Sequence, residues 1–237
     1  MNLKPTRVLS VLLIVILVGA CSNIYKKDID EGIIEYSCEA IDKKENSSIT
    51  IPAKMVVKFK NDCYSAELEA GLGFAKMKFI SDPLKKEFRS QVCFFEKRQS
   101  TMNLAQVEKT NHYLPDYDVV YGKEIKIIAG YNCKKATLKF KNGDPSYDVW
   151  FTKEIAIENP NWSNAYYKID GVLLNYRMKK YGLELNFLAK SVSVATIDDT
   201  FFNIDAAYEK VDNSEIEKLF DGFFSLLTPK NTFLAIR

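Results

Sequence analysis

From Ile33 onward, apolar side chains recur at every second position. Ile34, Tyr36, Cys38 and Ala40 share one face, and Glu35, Ser37 and Glu39 share the other, which is the pattern of a strand with one wet side. The alternation returns in Met55, Val57 and Phe59, in Tyr64, Ala66 and Leu68, and in Ala75, Met77 and Phe79, with mostly charged or polar residues between them. Gly71 and Gly73 separate two of these runs. Asp82-Pro83 ends another, because proline has no amide to give to a ladder. Val92 to Phe95 and the region of Met102, Leu104 and Gln106 are weaker runs, and His112 to Asp118 reads as a loop.

Ile125 to Ala129 and then Ala136, Leu138 and Phe140 make strands before the turn Asn142-Gly143-Asp144-Pro145. Tyr147, Val149 and Phe151 supply the returning partner. After a loop from Glu158 to Ser163, the set Val172, Leu174, Tyr176 and Met178 pairs with Leu183, Leu185 and Phe187 about a hinge at Tyr181-Gly182. Val192, Val194 and Thr196 form a last strand. The period changes only near the end, where Ile216, Leu219, Phe220, Phe223 and Leu227 fall at helical spacing. Ser214 with Glu217 reads as a capping box and Pro229 as a stop. Roughly nine to eleven strands and one helix predict a mainly β domain. The expected form is a single large curved antiparallel sheet, a half-barrel, with the C-terminal helix on its concave face. A closed barrel is the alternative, but it leaves the helix's apolar stripe without a home.

The first residues read differently. Lys4 and Arg7 precede an apolar run from Val8 to Val18, too short for the roughly 20 residues of a membrane span, so residues 1–20 read as a signal peptide. Val18-Gly19-Ala20-Cys21 has the order of a bacterial lipobox, which makes Cys21 the lipidation site and residues 21–31 a charged tether to the domain at 32–237. An ordinary thiol after a secretory cleavage site is the competing reading of Cys21. Ser22 stands where an aspartate would favour inner-membrane retention, so an outer-membrane lipoprotein is expected, facing either the periplasm or the cell surface.

Export changes the reading of charge. The chain has 33 Lys and Arg against 31 Asp and Glu, and loss of Lys4 and Arg7 makes the mature protein neutral. That removes the case for a nucleic-acid partner, which needs a concentrated basic surface. With 47% hydrophobic residues the chain has ample material for a core and is not intrinsically disordered. In an oxidising compartment Cys38, Cys63, Cys93 and Cys133 are candidates for disulfides, against buried thiols as the alternative. They lack zinc-ligand spacing, so no metal or cofactor is expected.

Catalytic chemistry is thin. His112 is the single imidazole, sits in a polar loop and reads as an exposed histidine. Asp116 with Asp118, and Asp198 with Asp199, qualify as acid–base pairs by residue type alone. There is no Gly-x-Ser-x-Gly elbow, phosphate loop or dinucleotide fingerprint, so an enzyme is not expected.

The segment Glu124 to Ala136, with Ile127, Gly130-Tyr131-Asn132-Cys133-Lys134-Lys135, and the later Trp150-Phe151-Thr152 resemble a family of uncharacterised exported proteins common in Bacteroidota. Glu31-Gly32-Ile33-Ile34-Glu35-Tyr36 and Gly171-Val172-Leu173-Leu174-Asn175-Tyr176 agree with it. The resemblance implies a fold similar to the outer-membrane lipoprotein carriers and receptors, in which an unclosed barrel holds acyl chains. It carries over no catalytic residues, and this chain departs from the carriers in showing one helix where they have several.

Two function classes follow. One is a lipid-anchored binding module whose concave face holds a lipophilic ligand, with Met55, Phe59, Met77, Phe79, Tyr176, Met178 and Phe187 as candidate ligand-binding residues and Trp150 as a candidate platform. Plain core is the competing role for the first seven, and edge packing for Trp150. The other class is an envelope protein with a filled core that works through a protein partner. A void of several hundred cubic ångströms under the helix separates them.

Overall fold

The computed structural model describes residues 29–41 and 53–227; Cys21, the signal peptide and Pro229 lie outside them. In chain order the elements are β1 (Glu31–Ala40), β2 (Lys54–Lys60), β3 (Cys63–Ala70), β4 (Ala75–Asp82), β5 (Glu87–Cys93), β6 (Lys97–Met102), α1 (Leu104–Asn111), β7 (Tyr117–Ile128), β8 (Tyr131–Phe140), β9 (Tyr147–Thr152), β10 (Val172–Lys180), β11 (Leu183–Val194), β12 (Glu209–Lys210) and α2 (Asn213–Leu227). All twelve strands belong to one sheet, ordered β12-β6-β5-β4-β3-β2-β1-β11-β10-β9-β8-β7. The sheet is open, so the half-barrel expectation holds and the closed barrel does not. Neighbours are antiparallel except β12, which joins β6 in parallel for two residues.

Two meanders build the sheet. One runs outward from β1 to β6; the other starts at the far edge with β7 and returns to β11, which pairs with β1 from Gly32 to Ala40. Short turns fix the registers. Asn61-Asp62, Ala129-Gly130 and Tyr181-Gly182 all take positive φ at both positions, the backbone of the two-residue turns that match strand twist.

The curvature follows from what α2 touches. Its Phe223 ring stacks on Phe94, just past β5, at 4.7 Å, and its Phe224 ring stacks on Tyr181, just past β10, at 5.6 Å. Those strands are six spacings apart in the sheet, or about 29 Å if it were flat at ~4.8 Å per strand. A helix only about 10–12 Å across reaches both, so the sheet is curled around it.

Residues 153–171, between β9 and β10, form a second cover on the same face. Their Ser163 hydroxyl bonds Tyr64 of β3 at 3.2 Å and Ser81 of β4 at 3.0 Å, so this strap crosses the hollow of the sheet. Buried Asn161 ties it together by donating to the carbonyls of Ile169 and Gly171. The chain then passes over the outer face between β11 and β12, where the Phe201 ring lies 3.5 Å from Lys58 Nζ.

Several expectations are corrected. The stretch around Leu104 and Gln106 is helical: Asn103 caps α1, accepting from the Gln106 amide at 3.1 Å while Gln106 Oε1 accepts from the Asn103 amide at 3.0 Å. Only Val107 of α1 is buried, so the helix leaves no apolar stripe in the sequence. β7 begins at Tyr117, inside the presumed loop. The capping box of α2 is not formed as read. Asp212 accepts from the Ser214 amide at 2.8 Å, and Glu217 instead accepts from Tyr181 Oη at 2.8 Å.

Cys38, Cys63, Cys93 and Cys133 are all thiols and none forms a disulfide. They sit on β1, β3, β5 and β8, no two of which are neighbours in the sheet, whereas a disulfide needs Cα atoms about 4.4–6.8 Å apart. Burial pushes the Cys38 thiol up to about 12, leaving it unreactive.

Candidate functional site

A cavity of about 270 Å³ lies between the concave face of the sheet, α2 and the strap. A single water needs about 10–15 Å³, so this is space for a molecule larger than solvent. Its floor comes from alternate residues of the central strands: Ile34 and Tyr36 of β1, Met55 and Val57 of β2, Tyr64, Ala66 and Leu68 of β3, and Met77 and Phe79 of β4. The far wall is Tyr176, Met178, Leu185 and Phe187 of β10 and β11. Phe220 and Phe224 close the helix side, and Asn161 with Ser163 to Tyr166 the strap side.

Of the eight candidate ligand residues, Met55, Met77, Phe79, Tyr176, Met178 and Phe187 converge on this cavity. Phe59 and Trp150 do not line it. Phe59 faces inward but is fully buried against Gly32, where an added Cβ would come within 3.1 Å of its ring. It is core. Trp150 points to the opposite side of β9 from Val149 and Phe151, with Lys126 Nζ 5.7 Å from its ring.

Sequence reasoning missed the strap side of the cavity and the tyrosines as a group. Tyr36, Tyr64, Tyr113, Tyr166, Tyr176 and Tyr181 all line it. Tyr36 Oη donates to the Leu173 carbonyl at 2.8 Å, and Tyr166 Oη donates to that of Arg177. Burial raises the pKa of Tyr36, Tyr113, Tyr166 and Tyr176, keeping these phenols protonated. Beside α2 the lining turns polar: Lys180 and Glu217 pair at 2.9 Å, and the Lys180 ammonium stands 5.4 Å from the Tyr113 ring.

The groups expected to be capable of acid–base work are engaged elsewhere. His112 is half-buried, not exposed; its Nε2 lies 3.1 Å from the Trp162 carbonyl and its ring stacks on Tyr167 at 3.9 Å. Asp116 is held by Lys141 at 2.8 Å and Lys168 at 2.7 Å. Asp198 caps the turn at Thr200, and Asp199 pairs with Lys60 at 2.7 Å. Among the described residues no three His, Cys, Asp or Glu side chains gather as a metal site, and no helix is long and apolar enough to cross a membrane. A second hollow, near Asp62, Glu158 and Asp170, mixes charged groups with Ile155, Ala156 and Ile157, and its Asp170 is already paired with Lys153.

Fold and cavity together define an open antiparallel half-barrel with an apolar hollow under a helix and a strap. No family model and no curated protein matches the chain. A solved structure of PNGF-II resembles it with a TM-score of 0.52 at 16% identity, over 81% of this chain and 33% of that one. The chain therefore spans about a third of that structure's length, and the likeness is one of fold.

Proposed function

We propose that this protein is a lipid-anchored envelope binding protein that holds a lipophilic ligand in the cavity between curved sheet, helix and strap. The observation that carries the reading is the 270 Å³ hollow and its mostly apolar lining, since a well-packed core has few voids much larger than a water. Two methionines on β2 and β4 add to it, because thioether side chains adapt to ligands of irregular shape. Anchoring rests on the Val18-Gly19-Ala20-Cys21 order in the sequence, and with it the outer-membrane location. The role is that of a carrier or receptor rather than a catalyst, in keeping with the other engagements of His112, Asp116 and Asp199.

Native mass spectrometry of the chain extracted from membranes tests this. A lipid-sized adduct is expected on the wild type and is expected to vanish in Ala66→Phe, which fills the cavity from β3. A wild type that carries no adduct, and takes up no added lipid, would overturn the reading.

A second reading, an envelope interaction protein, is favoured by one observation. β7 ends the sheet, and its Val120, Tyr121, Ile125 and Ile127 are exposed. Crosslinking at Ile127 would then recover one defined neighbour.

A further inference from the structure

Six tyrosines around a hollow of this size invite the question of what their hydroxyls do. Four have protein partners: Tyr36 on Leu173, Tyr64 on Ser163, Tyr166 on Arg177, and Tyr181 on Glu217. Tyr113 and Tyr176 hydrogen-bond to no described residue; both are half-buried members of the cavity lining, and neither hydroxyl is fully enclosed by protein. The Tyr176 ring is held in place by its neighbours. It is stacked on Phe187 at 5.0 Å and met edge-on by Tyr36 at 6.1 Å and Tyr166 at 5.8 Å. A ligand that fills the hollow would displace water from these two phenols, and because polar groups withdrawn from water are normally paired, it meets a hydrogen-bonding demand there.

The surroundings fix the sign of that demand. After burial, the neighbouring phenols, Tyr113 among them, add to the upward push on Tyr176, so both hydroxyls remain neutral donors at any ordinary pH. The Lys180 ammonium near the Tyr113 ring disfavours a cation there and favours an oxygen acceptor. Glu217 already balances Lys180, so the acceptor need not carry a full charge.

We propose that the cavity is built for an acyl lipid, with the Tyr113 and Tyr176 hydroxyls donating hydrogen bonds to the carbonyl or carboxylate oxygen at the head of the chain. This inference rests on reading the hollow as a ligand site. It separates acyl lipids from bare isoprenoid or alkane chains, which would leave both phenols unpaired, and from alkylamines, which offer no acceptor.

The test is calorimetric titration of the delipidated full chain with lauric acid and with dodecylamine, which share a chain length and differ at the head. Wild type is expected to bind laurate at least about tenfold more tightly than dodecylamine. Tyr113→Phe with Tyr176→Phe is expected to lose about tenfold for laurate while keeping its affinity for the amine, which also reports that the variant is folded. The two single variants, each with a smaller loss, cover the case in which the double variant does not fold. Unchanged laurate affinity in the phenylalanine variants would overturn the proposal while leaving the cavity as an apolar site. Failure of wild type to bind either probe would overturn the cavity reading itself.

Discussion

Gly171 and Gly222 make opposite cases at the residue scale. Gly171 has φ +144°, and an added Cβ would stand 2.6 Å from the Phe151 ring and 2.8 Å from the Thr152 carbonyl oxygen. Neither neighbour can yield, because Phe151 is core and Thr152 is held in the ladder to Val172. Gly171→Ala should cost about 2–3 kcal/mol, read as a lower urea midpoint. Gly222 lies in α2 with open space where its Cβ would be, so Gly222→Ala should stabilise by about 0.5–1 kcal/mol. Asp116 gives a pH dependence. The Lys141 and Lys168 hydrogen bonds push its carboxyl down to about 2. Its hold on the strap is complete above the ordinary carboxylate value of about 4 and is lost as pH falls through about 2. Amide exchange at residues 165–169 should rise across that window, and flat exchange would exclude Asp116 as the clasp.

Among the elements, α2 depends on one aromatic face. Phe220 is buried against Phe79, Phe94, Tyr181 and Phe224, so Phe220→Ala should cost about 3–5 kcal/mol in thermal or urea unfolding. Exposed Asp221→Ala should stay within about 0.5 kcal/mol. The face was legible because Ile216, Phe220 and Phe223 recur at helical spacing, and the central strands because their alternation matches a face buried on one side. α1 was not legible by period, since Val107 alone is buried, although Asn103 and Gln106 carry a cap signal in the sequence. The strap was hidden for a different reason. It has no regular period, and its order comes from side-chain bonds such as Asn161 to Gly171 that join residues only after the chain has folded. The same holds for the cavity. Alternation shows which residues face inward, and so found Met77 and Tyr176, but it cannot distinguish Phe59, packed on Gly32, from Met55, which borders space.

At the scale of the whole molecule, the strand that starts the domain is also the middle of the sheet, with six strands on one side and five on the other. β1 is held along both edges, by β2 from Glu31 to Ser37 and by β11 from Gly32 to Ala40. Its first residue lies at the end of the sheet opposite the Tyr181-Gly182 turn, ten residues or about 33 Å from that rim. Anything that grips the chain upstream of Glu31 therefore pulls lengthwise on a strand bonded on two flanks. Such a load is resisted in shear by many rungs at once and cannot peel them off one by one. Tension from an N-terminal attachment would meet the fold along its strongest direction, with the contact of α2 on Tyr181 at the far, unloaded end.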